Sequence, residues 1–388
     1  MNKKFLSFNF TCWLFALVAI PVGSLENFKL SILILLTIAF VAALPRLKIP
    51  IGNLMGIIFF LLIILLQSLN TLIGNFDDSF VFIEARSILL ILITITYYKI
   101  LSKNQLITHG GTVHTFIYGV LGFVFFKIIL TYSIFINPAV IESMDLLDFY
   151  PIGNLGHPGL LRFAFINDFF IPFAYYLTVK SEFTRLTKNM LSIIFLIMGI
   201  MSMTRYIWVI LAIIIALIHK WRFIIFALIV LIISSILFNE YTEFKIIDSI
   251  NHRAFIEGAD SVSEKTTQSS ILLDEASNYL VFGKGLGSYV EGYIRNERIK
   301  YGYEVFYILL LLQFGLPILS IIVIYIYWKL MVQLRFHSFK IKNEAFWLYT
   351  LILGSGFFNP TIMSSGTVVV FIAINEYYSR KHRILKII

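Results

Sequence analysis

Charged residues and cysteine are both scarce in this sequence of 388 residues. Only 14% of the residues are charged, whereas roughly a quarter are charged in an ordinary soluble domain. Because 59% of the residues are hydrophobic and the mean hydropathy is +0.87, the chain has too few polar side chains to cover a water-exposed surface. The composition therefore excludes a soluble enzyme. The single cysteine, Cys12, excludes a disulfide within the chain, so packing and hydrogen bonds must hold any loop outside the membrane.

Several catalytic motifs are also missing. The seven histidines do not recur at metal-ligand spacing, and a Cys/His metal site is excluded. The sequence contains neither a Walker motif nor a nucleophile elbow, and it shows no internal repeat. We therefore expect an activity that needs neither a metal nor another cofactor.

What the sequence does contain is a series of closely spaced apolar runs. A helix needs about 20 apolar residues to cross the hydrocarbon and satisfies its own backbone polar groups there. The pattern predicts an all-α integral membrane protein, a single polytopic domain over 1–388 with about twelve transmembrane helices. The first run resembles a signal peptide but lacks a small-residue cleavage site, so we expect it to be retained. The predicted spans are 8–22, 28–43, 51–69, 81–97, 113–136, 163–179, 190–203, 206–218, 223–238, 305–328, 345–358 and 366–378.

The positions of the charged residues predict the orientation of these spans. The formal charge of +9 does not indicate a nucleic-acid partner, because Lys and Arg lie mostly in short connections between apolar runs. Cytoplasmic connections are enriched in Lys and Arg, so alternate connections assign both termini to the cytoplasm. The basic connections contain Lys3, Lys4, Arg46, Lys48, Lys99, Lys103, Lys180, Arg185, Lys188, Lys220, Arg222, Lys329, Arg335, Lys340 and Lys342, with Arg380, Lys381, Arg383 and Lys386 in the tail. The opposite connections contain Glu26, Asp77, Asp78, Glu142, Asp145 and Asp148.

Two outer connections are longer than a tight turn. The first, 137–162, is rich in Pro and Gly, and the second, 239–304, is the one stretch that reads like soluble protein. Within the second, 261–270 is polar, whereas 270–281 has apolar residues at helical spacing and could lie along the membrane surface. A pure conduit seldom needs such a loop, whereas an enzyme that closes over a large polar substrate does.

Charge beside or inside the apolar runs marks the candidate functional residues, because it costs about 2.5–3.5 kcal/mol at the centre of a membrane helix. Arg205 interrupts a minimal connection and must lie at the outer membrane edge. It is either an interfacial arginine or a clamp for phosphate oxygens, whose geometry a guanidinium matches. Glu84 and Arg86 open the fourth span on different helix faces, each with either a structural partner or a role in a site.

Other polar residues of the spans and of the long loop also leave two interpretations open. Arg162 and Asp168 open the sixth span, either as a mutual salt bridge or as part of a site, and the mid-span Lys127 requires a buried polar partner. The glycine run at 283–288 lacks the strand–helix context of a dinucleotide site but could expose backbone N–H groups. Glu304, placed in the first turn of a long apolar helix, is either a favourable charge–dipole pair or a general base.

Four segments, in this order, resemble the superfamily of O-antigen ligases and O-antigen polymerases (Wzy-like), bacterial multi-span glycosyltransferases that use undecaprenyl-diphosphate-linked glycans. They are 162–167, 202–205, 278–288 and 304–315. The resemblance implies a glycosyltransferase C-like fold in the bacterial inner membrane, with periplasmic loops at 137–162 and 239–304. Ligases usually have a His-Asn pair where this chain has Tyr303 and Glu304, which favours the polymerase branch.

The resemblance implies an O-antigen or polysaccharide polymerase of lipopolysaccharide biosynthesis, which joins undecaprenyl-diphosphate-linked repeat units at the periplasmic face without a metal. Glu304 and Arg205 would be catalytic, the former as the base that deprotonates the acceptor hydroxyl. Family loops usually have an arginine where this chain has Lys265, with Arg253 further upstream, so either residue could contact phosphate. The residues expected to bind diphosphate or glycan are Arg205, Arg253, Lys265, Arg162, Arg86 and Asn167.

The expected partners are lipid-linked glycans, membrane lipid, and a chain-length regulator and flippase acting alongside, with no nucleic acid. Two other functions stay open, an O-antigen ligase that transfers glycan to lipid A–core and a polysaccharide flippase or transporter. Transporters tend to show repeat symmetry and broken helices at mid-membrane, whereas the unusual polar residues of this chain gather towards the outer face.

Overall fold

The computed structural model describes residues 3–21, 26–49, 51–74, 79–107, 110–137, 140, 165–202, 204–219, 257–294, 300, 302–334, 339–357 and 365–387. These residues form helices and turns, and no β-strand occurs among them. The predicted all-α fold class is confirmed for this part of the chain.

Twelve α-helices lie in the described ranges. They are α1 (Lys3–Ala19), α2 (Glu26–Ala43), α3 (Ile51–Ile73), α4 (Ser79–Lys103), α5 (Gly111–Ile136), α6 (Ile171–Lys180), α7 (Arg185–Met201), α8 (Arg205–Ile218), α9 (Glu257–Ser277), α10 (Phe306–Leu334), α11 (Phe339–Gly354) and α12 (Thr367–Ile387). Short 3-10 helices cover Leu44–Arg46, Ile166–Phe170 and Ser355–Phe357.

Five of the described helices are long and apolar enough to cross a membrane, which makes the chain a helical membrane protein. Each predicted span overlaps a helix except 223–238, which lies outside the described residues. The number of spans, about twelve, and their orientation stay predictions. The five apolar segments are Phe28–Arg46, Met55–Ile73, Phe80–Lys103, Gly111–Ile134 and Phe306–Tyr325.

The helices group into two compact units. The first contains α1, nearly all of α2, and α5 to α8, and the second contains α3, α4, α10, α11 and most of α9. The first unit comprises Met1–Ala42, Thr108–Ser261 and Ala373–Tyr377, and the second comprises Ala43–Ile107, Val262–Ile372 and Tyr378–Ile388.

In the first unit, α1 packs closely against α5 because glycines of α5 face it. A Cβ atom at Gly119 would lie 3.1 Å from the Cβ atom of Val18, and one at Gly122 would lie 3.2 Å from the ring of Phe15. Small residues let two membrane helices bring their backbones together, which increases their van der Waals contact.

The buried helix of the first unit is α6, in which all residues from 171 to 178 are buried. It is shorter than the predicted span 163–179, because a 3-10 helix (Ile166–Phe170) precedes it and the α-helix begins only at Ile171. Pro172 lies in its first turn, where the missing N–H of proline leaves no intrahelical bond unmade.

Two polar side chains tie this 3-10 helix to its neighbours. The amide nitrogen of Asn167, a fully buried residue, donates to the carbonyl oxygens of Val18 and Ile20, at 2.8 and 3.1 Å. Both carboxylate oxygens of Asp168, also fully buried, accept hydrogen bonds from Nζ of Lys127, at 2.7 and 2.8 Å.

This ion pair identifies the buried polar partner that Lys127 requires in the middle of α5, as the sequence predicted. The sequence suggested Arg162 as a partner for Asp168, but the structure pairs this carboxylate with Lys127 instead, and Arg162 lies outside the described residues. Asp168 also accepts the backbone N–H of Phe165 at 3.0 Å, so it caps the start of the 3-10 helix.

We predict that Lys127→Met and Asp168→Asn each lower the free energy of unfolding by about 3–5 kcal/mol, because each variant leaves one buried charge unpaired. The measurement is the thermal unfolding midpoint of the purified protein in detergent. The double variant Lys127→Met with Asp168→Asn removes both charges and should lose less than the two single variants combined. A fully additive loss would contradict the pairing.

Candidate functional site

The polar loop before α10 contains a helix, α9, that packs on the first residues of α10. Leu272 and Ala276 of α9 are fully buried in a cluster with Tyr303, Phe306 and Leu309. This contact fixes the loop helix directly above an apolar span of the second unit.

The loop helix differs from the prediction in its boundaries. It covers Glu257–Ser277, so the polar stretch 261–270 is helical and 278–281 is a turn. Hydroxyl side chains bond to carbonyl oxygens of the preceding turn, as Thr266 does to Val262 at 2.9 Å and Ser269 does to Lys265 at 2.7 Å. These bonds let Ser and Thr remain within a helix instead of ending it.

Two residues predicted for the site, Lys265 and Glu304, are in contact. Nζ of Lys265 lies 3.1 Å from Oε2 of Glu304, and the two side chains are 25% and 28% exposed. The backbone N–H of Glu304 donates to Oε1 of the buried Gln268, at 3.1 Å. A carboxylate that solvent can reach therefore lies beside an ammonium group and is held by both its backbone and its side chain.

The sequence predicted that Glu304 lies in the first turn of the long apolar helix. In the structure, Glu304 precedes α10 by two residues and lies outside that turn. The neighbouring Tyr303 is fully buried, and its hydroxyl donates to the carbonyl oxygen of Tyr293 at 2.9 Å. The same hydroxyl oxygen accepts the N–H of Val290 at 3.0 Å, and burial raises the pKa of this hydroxyl. Tyr303 is thus a fixed support for Glu304, not an accessible acid or base.

The glycine turn, residues 283–288, does not offer its backbone to a ligand. All six of its residues are buried. Each backbone N–H in the turn donates to an acceptor within the protein, so the expectation of exposed N–H groups was wrong. The acceptors, in order from residue 283 to residue 288, are the carbonyl oxygens of Tyr279, Leu312, Gln313 and Gln67, Oε2 of Glu84, and the carbonyl oxygen of Gly285.

A break in α10 explains why the turn binds there. Gly315 has φ 71° and ψ 167°, which interrupts the helix, and Pro317 has no N–H to donate to the carbonyl oxygen of Gln313. The turn supplies the missing partners, since Lys284 N–H donates to Leu312 at 2.6 Å and Gly285 N–H donates to Gln313 at 3.1 Å. In return, the N–H of Leu316 donates to the carbonyl oxygen of Leu280 at 2.7 Å.

Polar side chains of α3 hold the other edge of the turn. Asn70 donates to the carbonyl oxygen of Gly283 at 2.8 Å, Thr71 to that of Leu286 at 2.8 Å, and Gln67 to that of Phe282 at 3.1 Å. None of these three residues was predicted to belong to the site. Their spacing of three and four places them on one face of a helix, which is the signal that could have indicated a shared partner.

The structure gives Glu84 a structural partner. Its buried Oε2 accepts the N–H of Gly287 at 2.7 Å and Nε2 of Gln313 at 2.8 Å, so it joins α4 to the turn and to α10. Lys284 ties the turn to α9, because its Nζ donates to Glu275 at 2.6 Å and to the carbonyl oxygen of Tyr289 at 3.1 Å.

Arg205 is the first residue of α8 in the first unit, and its side chain is half-buried. The preceding turn is held by Ser202, whose hydroxyl donates to Gly199 at 2.7 Å, and by Trp208, whose indole N–H donates to Ile200 at 2.9 Å. Arg205 thus begins α8 at the positive end of the helix dipole, where an anion is favoured.

Of the remaining predicted site residues, Arg86 and Asn167 lie within the described part of the chain. Arg86 is exposed on α4, and Asn167 uses its amide nitrogen to bind the end of α1. Arg162 and Arg253 lie outside the described residues, so the choice between Arg253 and Lys265 as a phosphate ligand stays open. No cluster of three or more His, Cys, Asp or Glu side chains suited to a metal occurs in the described part of the chain.

Comparison of the chain with protein-family models and with curated protein sequences gives no match to either.

We predict that Gly285→Ala destabilises the second unit far more than Gly292→Ala. Both glycines have positive φ, 103° and 84°, which costs about 1–2 kcal/mol for an alanine. A Cβ atom at Gly285 would also collide with Oγ1 of Thr71 and lie 2.7 Å from its backbone nitrogen, whereas one at Gly292 would meet nothing within 4 Å. The measurement is the yield and thermal midpoint of folded protein by fluorescence-detected size exclusion. Equal losses in the two variants would show that the close approach at Gly285 is unimportant.

Proposed function

We propose that this protein is an inner-membrane glycosyltransferase that polymerises undecaprenyl-diphosphate-linked oligosaccharide units into O-antigen or a related surface polysaccharide. The observation that supports the proposal best is the Lys265–Glu304 pair. A solvent-accessible carboxylate and an ammonium group are held together by a polar loop helix at the start of an apolar span. Such a site suits a reaction between a lipid-anchored donor and a water-exposed acceptor.

In the proposed reaction, Glu304 takes the proton from a sugar hydroxyl of the acceptor repeat unit. That oxygen forms a bond to the anomeric carbon of the donor sugar, while the bond from this carbon to the lipid diphosphate breaks. The diphosphate leaves as an anion, and side-chain cations offset the charge that develops on it. Arg205 is the described residue that we assign to this second task, and the choice between Lys265 and Arg253 as a further phosphate ligand stays open.

The buried Tyr303 favours the polymerase over the ligase. The resembled ligases have a histidine at this position, whereas the tyrosine hydroxyl here is engaged by Val290 and Tyr293. The proposal also includes a periplasmic location for 239–304 and cytoplasmic termini. The proposed partners are a chain-length regulator and a flippase.

A deletion strain tests the proposed function directly. We expect lipid-linked and surface glycan to collapse to single repeat units that still reach the cell surface. Loss of surface glycan together with accumulation of long lipid-linked chains would instead identify a ligase. Single repeat units trapped on the cytoplasmic side would identify a flippase. Either of these two results would overturn the polymerase proposal.

Glu304→Gln should lower the rate of polymerisation by about 100-fold or more, because a general base contributes roughly 10² to 10⁴. Lys265→Gln breaks the same ion pair but keeps the base, so it should retain more activity. Glu275→Gln, which breaks the Lys284–Glu275 pair in the same loop, is the matched control for loss of an ion pair. The measurement is the glycan ladder of complemented cells at equal protein level. A glycan ladder for Glu304→Gln as long as that for Glu275→Gln would reduce Glu304 to a structural partner.

Arg205→Ala should abolish polymerisation while the protein still inserts into the membrane, since removal of one charge-stabilising donor costs about 10² to 10³ in rate. Arg205→Lys keeps the charge but loses the two-pronged geometry, so it should remain strongly impaired. Membrane level by immunoblot is the control. Full chain length in Arg205→Ala would eliminate this residue from the site, and full activity in Arg205→Lys would show that charge alone is needed.

A further inference from the structure

The segment 280–288 is bound at the depth of membrane spans. Its partners Leu312, Gln313 and Leu316 lie within the apolar segment Phe306–Tyr325. The partners on its other side, Gln67, Asn70 and Thr71, lie within Met55–Ile73, and Glu84 lies within Phe80–Lys103. Each of these three helices is long and apolar enough to cross a membrane.

The depth of the segment follows from helix geometry. At 1.5 Å per residue, Gln67 lies about 9 Å before the end of α3 at Ile73. Glu84 lies about 7.5 Å after the start of α4 at Ser79. Leu316, the partner of Leu280, lies about 15 Å after the start of α10 at Phe306, so the segment reaches between about a quarter and a half of the depth of a hydrocarbon layer about 30 Å thick.

Non-helical backbone is tolerated at membrane depth only where protein or a water-filled cavity satisfies its polar groups. The glycine turn meets this condition, since four of its N–H groups and the carbonyl oxygens of Gly283 and Leu286 have partners in α3, α4 and α10, and its other two N–H groups bond to Tyr279 and Gly285. The requirement also accounts for the polar side chains within otherwise apolar spans, where an unpaired polar group would be costly.

The three residues before the turn have the opposite character. Leu280, Val281 and Phe282 are 45%, 59% and 73% exposed, although their backbone is held against α10 and α3. Leu316, whose N–H donates to the carbonyl oxygen of Leu280, continues this surface and is 55% exposed. Three consecutive large apolar side chains that face outwards at the level of membrane spans are suited to contact with hydrocarbon.

We propose that residues 280–288 form a re-entrant segment, in which Leu280, Val281 and Phe282 insert among the acyl chains of the bilayer. The glycine turn that follows is buried in protein and returns the chain towards the surface. The loop helix α9 is thereby anchored to the membrane by lipid contact as well as by its packing on α10. The inference concerns this interaction surface alone and does not depend on the glycosyltransferase proposal.

Depth-dependent fluorescence quenching tests the proposal in the full chain. Cys12→Ala gives a cysteine-free background, into which Phe282→Cys is introduced. The control Asp274→Cys is exposed on α9, and the control Leu66→Cys is 59% exposed within the span of α3. Each protein is labelled with a small environment-sensitive maleimide in detergent, and is then reconstituted in phosphatidylcholine–phosphatidylglycerol vesicles.

We expect the probe at position 282 to behave like the probe at position 66, with blue-shifted emission, loss of fluorescence with doxyl-labelled lipid, and protection from iodide. The probe at position 274 should show the reverse pattern. Quenching at 282 by iodide but not by doxyl lipid would overturn the proposal by placing this segment in water. Protection at 282 from both quenchers would also overturn it, because the side chain would then be covered by protein.

Discussion

The break in α10 is the constraint on which the second unit depends. Gly315 leaves helical geometry and Pro317 lacks an N–H, so backbone groups near the middle of an apolar segment lose their intrahelical partners. In an apolar medium such groups must be satisfied by other parts of the protein. Lys284, Gly285 and the carbonyl oxygen of Leu280 satisfy them, which ties the loop to the span.

The contact between the glycine turn and α10 also helps to position the Lys265–Glu304 pair. The turn that completes α10 also contains Lys284, whose ion pair with Glu275 holds the end of α9. The same helix presents Lys265 to Glu304, and its buried residues Leu272 and Ala276 pack on α10. A proposed catalytic carboxylate is therefore fixed by contacts on both sides of the loop, which is the preorganisation that proton transfer requires.

In the first unit, irregular backbone is stabilised by a buried ion pair between Lys127 and Asp168. Four of the five residues of the 3-10 helix before α6 are buried, and Asp168 caps this helix by accepting the N–H of Phe165. A buried carboxylate needs a compensating cation, which Lys127 supplies from α5. In both units, isolated polar residues within apolar helices mark places where irregular backbone has to be satisfied.

The sequence by itself determined the fold class and most helix positions, because an apolar run of membrane length indicates a helix that is surrounded by lipid. It also indicated that Lys127 needs a buried partner and that Lys265 and Glu304 belong to one loop. Tertiary structure alone decided the partners, Asp168 for Lys127 and Gly287 with Gln313 for Glu84, since these contacts join residues far apart in the chain. It likewise decided that the glycine turn completes a broken helix and does not bind a ligand through its N–H groups. Hydrogen bonds between distant segments leave no periodic signal, so the pairing became visible only when the helices were in place.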